Sequence, residues 1–103
     1  MQNNKIEMET FNNTKVVSRL SVGNLIILLL YVDDTVLPPK DGIQNLVAIN
    51  QFNNVIWYAE LPTDRPYYNE IKYDDGKLLG WCGSMMYEIN LDTGKITNST
   101  LVK

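Results

Sequence analysis

The sequence predicts an all-β fold, two four-stranded antiparallel meanders packed as a β-sandwich, and three observations predict it. No stretch longer than eight residues carries a clean 3.6-residue apolar period, so helix has almost nowhere to form. Turn formers (Gly23-Asn24, Asn53-Asn54, Asp74-Asp-Gly76, Gly83-Ser84, Asp92-Thr-Gly94) recur between short runs rich in β-branched and aromatic residues. The densest apolar run, Leu25 to Val32, shows no period-2 alternation and is bounded by Gly23-Asn24 and Asp33-Asp34. That is the pattern of a central strand covered on both faces, and at eight residues it is less than half of a membrane span.

The elements follow in order. Lys5 to Phe11 alternates, with Ile6 and Met8 opposite Lys5, Glu7 and Glu9, as a short charged edge strand does. After the Asn12-Asn13 turn, Val16, Ser18, Leu20 and Val22 are expected on one face of a second strand, with Val17, Arg19 and Ser21 on the other. Gly23-Asn24 closes a hairpin onto the central strand. From Asp33 to Gln44 two prolines, Asp41-Gly42 and four charged residues exclude regular structure. Leu46–Ile49 and Val55–Leu61 form the next hairpin, with Val55, Trp57, Ala59 and Leu61 expected on one face. Pro62-Thr-Asp-Arg-Pro66 breaks the chain again, and strands are expected over 67–73, 77–82, 85–91 and 95–102.

The halves repeat. Ser21-Val-Gly-Asn-Leu-Ile26 aligns with Asp74-Asp-Gly-Lys-Leu-Leu79, and Leu46-Val-Ala-Ile-Asn50 with Met86-Tyr-Glu-Ile-Asn90. The offset is 53 residues before the long loop and 40 after it, so the first unit (about 14–61) carries a 13-residue insertion relative to the second (67–102). Tyr87-Glu-Ile-Asn-Leu-Asp-Thr-Gly-Lys-Ile96 resembles the stretch that ends blades in quinoprotein-type β-propellers, and Val55-Ile-Trp57 falls where their repeat places a tryptophan. The resemblance implies blade-like meanders. Two blades cannot close a ring, so the chain either packs them as a sandwich or assembles two-blade subunits into an oligomeric propeller. The sandwich removes both apolar faces within one chain and is preferred, with a monomer as its consequence.

A chain of 103 residues makes one domain, able to bury about two-thirds of its unfolded surface. A net charge of −3 and nine scattered basic residues disfavour nucleic acid as a partner. Cys82 is the single cysteine, which excludes an intramolecular disulfide, and its setting, Leu79-Gly-Trp-Cys-Gly83, suggests a buried structural residue. Trp57 and Trp81 are both expected in the core. The N-terminus lacks a basic region followed by an apolar stretch, so a cytoplasmic location without membrane association is expected.

Chemistry is sparse. Without histidine the chain lacks the usual general base near neutral pH, the commonest zinc ligand and the standard partner of a Ser or Cys nucleophile. Tyr31-Val-Asp-Asp34 resembles the Tyr-x-Asp-Asp hairpin of reverse transcriptases, whose aspartates hold catalytic magnesium. Such a site needs a further upstream carboxylate and a basic template cleft; only Glu7 and Glu9 precede Tyr31. The acidic turns lack the alternating ligands of a calcium loop, and Gly80-Trp-Cys-Gly83 lacks the third glycine and the helix of a phosphate cradle. No catalytic residue, metal or cofactor is expected.

What remains is surface. Asp33, Asp34 and Asp41 on the inserted loop, with Glu60, Asp64, Tyr67, Tyr68 and Glu70 around the second break, make an acidic and aromatic set suited to protein contact. In size, acidity and all-β build the chain is similar to the immunity proteins of interbacterial toxin systems. That similarity implies a non-enzymatic inhibitor of a basic, nuclease-like bacterial toxin. The alternative, drawn from the repeat and the aromatics, is a carbohydrate- or small-ligand-binding module.

Overall fold

The computed structural model describes residues 9–63 and 65–101. Among these residues nine strands form two antiparallel sheets, each a meander with neighbours in chain order. The first contains β1 (Thr10–Phe11), β2 (Thr14–Val22), β3 (Leu25–Leu30), β4 (Leu46–Ile49) and β5 (Val55–Tyr58). The second contains β6 (Glu70–Asp74), β7 (Lys77–Cys82), β8 (Met85–Ile89) and β9 (Ile96–Leu101). No helix occurs among the described residues. The fold is all-β and sandwich-like, with a fifth strand beyond the expected four in the first sheet because Thr10 and Phe11 pair with Lys15 and Thr14. The rest of the expected 5–11 strand, apart from Glu9, lies outside the described residues.

Local sequence explains the hairpins. Asn12 and Asn13 both take positive φ (49° and 64°), as do Asp75 and Gly76 (52° and 76°), which is the requirement of a two-residue type I′ turn. The repeat is visible in three dimensions. Asn50 Oδ1 accepts from the backbone of Phe52 and Asn54 in the β4–β5 turn, and Asn90 Oδ1 accepts from Asp92 and Thr93 in the β8–β9 turn. Each meander also carries a bulge at the matching place, between Ala48 and Ile49 and between Glu88 and Ile89. The halves diverge where predicted: residues 31–45 join β3 to β4, whereas Gly83-Ser84 joins β7 to β8.

One core lies between the sheets. Ile27, Leu29, Leu46, Ala48 and Trp57 of the first sheet share a buried cluster with Ile71, Leu78, Cys82, Tyr87 and Ile89 of the second. Hydrogen bonds seal the seam: Trp57 Nε1 donates to Leu91 O at 2.8 Å, Glu60 N to Gly94 O at 2.8 Å, and Ile96 N to Glu60 Oε1 at 2.8 Å. A second cluster, Leu28, Val47 and Ile49, is buried on the outer face of the first sheet beneath Phe11, Val16, Ile26 and Leu30. Burial on both faces is why the β3 run does not alternate, and each such side chain contributes about 2 kcal/mol.

Three face assignments change. A bulge between Val16 and Ser18 turns Val16 to the outer cluster, while Leu20 and Val22 remain with the inter-sheet core. The β4–β5 bulge pairs Val55 with Ile49, leaving Val55 exposed on the outer face, whereas Trp57, Ala59 and Leu61 pack inward. Trp81 is half-buried at the pairs Glu70–Trp81 and Trp81–Met86 rather than in the core. The expected 67–73 strand begins its ladder only at Glu70.

Candidate protein-contact surface

The inserted loop leaves β3 at Leu30 and returns at Asn45, and these two residues form its gate. Leu30 N donates to Asn45 O at 2.8 Å, and Asn45 Nδ2 donates back to Leu30 O at 3.1 Å. Asn45 is buried and also clasps the second half: its Nδ2 reaches Tyr68 O at 2.9 Å, and its Oδ1 accepts from Tyr68 N at 2.9 Å. Buried polar groups are tolerated where every donor and acceptor is matched, as here. Both ends of the loop therefore sit on a rigid base.

Between the gate and Pro39 the loop passes beside the outer face of the first sheet, and an open cleft of about 440 Å³ lies there. Phe11, Leu30, Tyr31, Val36, Leu37 and Tyr58 line it, with Asp33 at its border. Leu37 is 90% exposed and Val36 61%, values that isolated loop residues do not need for folding. On the other side of Tyr31-Val32 lies a smaller depression of about 170 Å³, lined by Asp34, Tyr67, Tyr68 and Asn69. Tyr31 borders both depressions and is half exposed.

Asp33 Oδ1 accepts from Thr35 Oγ1 at 2.6 Å and from Thr35 N at 3.0 Å, an Asx-type turn that holds its carboxyl below the ordinary range. Asp33 and Asp34 are exposed, as solvated turn acids are. Among the described residues no Lys or Arg lines either depression. The cations Lys40 and Arg65 line an adjoining groove with Asp41, which shares Pro38 and Pro39 with the larger cleft, and Arg19 is paired with Glu9.

The structure therefore gathers Asp33, Asp34 and Tyr67 around Tyr31, with the buried Tyr68 in the wall of the smaller depression, and sets Asp41, Glu60 and Glu70 apart from both. Tyr68 is a correction: it is 1% exposed, its ring packs edge-on against Tyr87 at 6.4 Å, and its hydroxyl donates to Glu60 O at 2.5 Å. It is a core residue, because Gly80 leaves room for its ring; a Cβ at Gly80 would stand 2.8 Å from it. Burial raises its hydroxyl pKa further above the ordinary value. Glu60 is exposed but its carboxylate serves the seam through Ile96. Glu70 is exposed on β6 and lines neither depression, and Asp64 lies outside the described residues. Sequence reasoning missed Val36 and Leu37, whose signal is two adjacent apolar residues between Asp33-Asp-Thr35 and Pro38-Pro-Lys-Asp-Gly42.

Burial lifts the Cys82 thiol to about 11, against a smaller opposing effect from Arg65, so the thiol stays protonated. Among the described residues no cluster of three Cys, Asp or Glu could hold a metal ion, and no helix is long and apolar enough to cross a membrane.

Fold and site together define a small all-β protein of two meanders, in which one inter-strand connection is enlarged into an exposed apolar and acidic loop. The chain belongs to the family described as Domain of unknown function (DUF7957), whose model matches residues 2–101. No curated protein and no solved structure matches it.

Proposed function

We propose that the protein is a non-enzymatic protein-binding module, an immunity-type inhibitor of a basic, nuclease-like bacterial toxin, and that the loop surface around Tyr31 and Leu37 is its interface. The observation that carries this reading is the 90% exposure of Leu37 beside an apolar cleft bordered by Asp33. An apolar centre within a charged border is the anatomy of a specific interface, and large exposed apolar patches on small domains mark such places. Carboxylates there would speed association with a cationic toxin and occupy the Lys and Arg that grip phosphate. Absence of histidine and a thiol held protonated by burial support a binding rather than a catalytic role.

The test is co-expression with the product of the adjacent gene, followed by affinity purification and a nuclease-protection assay. A stoichiometric complex with loss of nuclease activity is expected. No complex and no protection would refute the proposal. A second reading, carbohydrate binding, draws on Tyr31, Asp34, Tyr67 and Asn69 around the smaller depression, since aromatic rings beside a carboxylate and an amide suit a sugar face. A glycan array without signal would remove it.

A further inference from the structure

The apolar cleft beside Leu37 and its acidic border occur together, and their combination restricts the chemistry of what can dock there. The cleft lies within the size range of ligand pockets but is open along one side, so it suits part of a chain rather than an enclosed small molecule. Its walls, Phe11, Leu30, Val36, Leu37 and Tyr58, offer no charge. At the border, both hydrogen bonds from Thr35 fall on Oδ1 of Asp33, and Oδ2 makes no hydrogen bond among the described residues. Asp34 follows immediately on the other side of the Tyr31-Val32 ridge. Among the described residues no Lys or Arg lines either depression, and neither carboxylate is held in a salt bridge.

We propose that this cleft binds an extended segment of a partner protein in which an apolar side chain neighbours a lysine or arginine. The apolar side chain enters between Phe11, Leu30 and Leu37, and the cation reaches Asp33 Oδ2. Lys and Arg lay their aliphatic stems along apolar surface while keeping the charged head at the wet edge, which is the arrangement this border provides. The exposed ring of Tyr31 adds a cation–π face. The carboxyl of Asp33, held low by Thr35, stays ionised throughout the neutral range and is already oriented before the partner arrives. The same two carboxylates repel phosphate, which removes nucleic acid and anionic lipid surfaces as occupants. The inference rests on the protein-binding reading and adds the chemistry of the bound segment.

Three synthetic ten-residue peptides serve as probes: one alternating leucine with arginine, one alternating leucine with glutamate, and one alternating glycine with arginine. Each is titrated into the ¹⁵N-labelled intact protein, with amide shifts followed by NMR. The leucine–arginine peptide is expected to shift the amides of residues 30–37, and each of the other two to bind about tenfold more weakly or not at all. Asp33→Asn with Asp34→Asn should weaken the leucine–arginine peptide about tenfold at low salt, with the difference shrinking as salt rises. Leu37→Ser should weaken it at every salt concentration. Asparagine keeps the oxygen that Thr35 bonds, so the turn survives the substitution. Equal binding of the leucine–arginine and leucine–glutamate peptides, shifts confined to another face, or no binding would overturn this inference. Those outcomes leave the toxin complex to be judged by its own purification, so the two readings fail separately.

Discussion

Gly94 and Gly76 have the same backbone dihedral, φ of +76°, but opposite surroundings. Gly76 is exposed in the β6–β7 hairpin, where a Cβ would meet nothing within 4 Å. Gly94 is buried against Trp57, where a Cβ would stand 2.6 Å from Cε3 and 2.7 Å from Cδ2. The ring cannot swing aside freely, because its Nε1 is tied to Leu91 O at 2.8 Å and its other neighbours are core residues. Gly76→Ala therefore carries only the left-handed backbone strain of a β-carbon, about 1 kcal/mol. Gly94→Ala carries that strain plus overpacking of about 1–3 kcal/mol, about 2–4 kcal/mol in all. For a domain of this size each kcal/mol lowers Tm by about 4–8 °C, so the difference of about 1–3 kcal/mol should separate the two variants by at least about 4 °C and by about 12 °C at its midpoint. Urea titration followed by tryptophan fluorescence, with calorimetry for Tm, measures both. Equal losses in the two variants would refute the argument that Trp57 is wedged on the Gly94 backbone.

Leu28→Asp should abolish cooperative unfolding, since a carboxylate in the outer cluster costs more than the several kcal/mol such a domain possesses; a near-native melt by circular dichroism would disprove the two-sided burial of β3. Asn45→Ala strands the backbone groups of Leu30 and Tyr68 that its side chain satisfies and should cost about 2–4 kcal/mol by urea denaturation; a loss below about 1 kcal/mol would mean that water replaces the clasp. Leu37→Ser should leave stability within about 0.5 kcal/mol of wild type in the same assay, as an exposed side chain with no structural duty allows. The Cys82 thiol binds its proton more tightly folded, about 11, than unfolded, about 9, so its stabilisation is complete below pH 9 and is lost as pH rises towards 11. Cys82→Ala should flatten the fall in Tm across that window, with Tyr68 responsible for the part that persists higher; an unchanged slope would show the thiol to be uninvolved.

Strand existence was legible because the turns are written in residues with a conformational reason to be there, such as Asn12-Asn13 and Asp75-Gly76 at positive φ. Faces were less legible. Counting in twos puts Val16 on the face of Leu20 and Val22 and Val55 on that of Trp57, but each lies beside a bulge that only the pairing partner determines. The repeat and its insertion were readable from the spacing of Gly23, Asn50, Gly76 and Asn90, and the matched asparagine turns give the physical reason. At the surface, charge drew the reading towards Glu60 and Glu70, although Glu60 is used in the seam and Glu70 lies away from the cleft. A tyrosine after a proline break suggests exposure, yet Tyr68 is buried. The glycine in the β7 strand at position 80 was the available sign that a ring sits against the backbone there.

The gate formed by Leu30 and Asn45 makes the inserted loop interchangeable. Its ends are already held together by paired backbone and side-chain hydrogen bonds, so residues between them close a ring whose entropy depends only weakly on length, about 0.6 kcal/mol for each doubling. Tyr31, Ile43 and Gln44 hydrogen-bond to Lys15, Pro66 and Ala59, so it is within 32–41 that sequences of different length and character can be accommodated without disturbing the inter-sheet core. A scaffold of this kind can change what it recognises by exchanging one segment, while the rest of the chain remains under selection for packing alone.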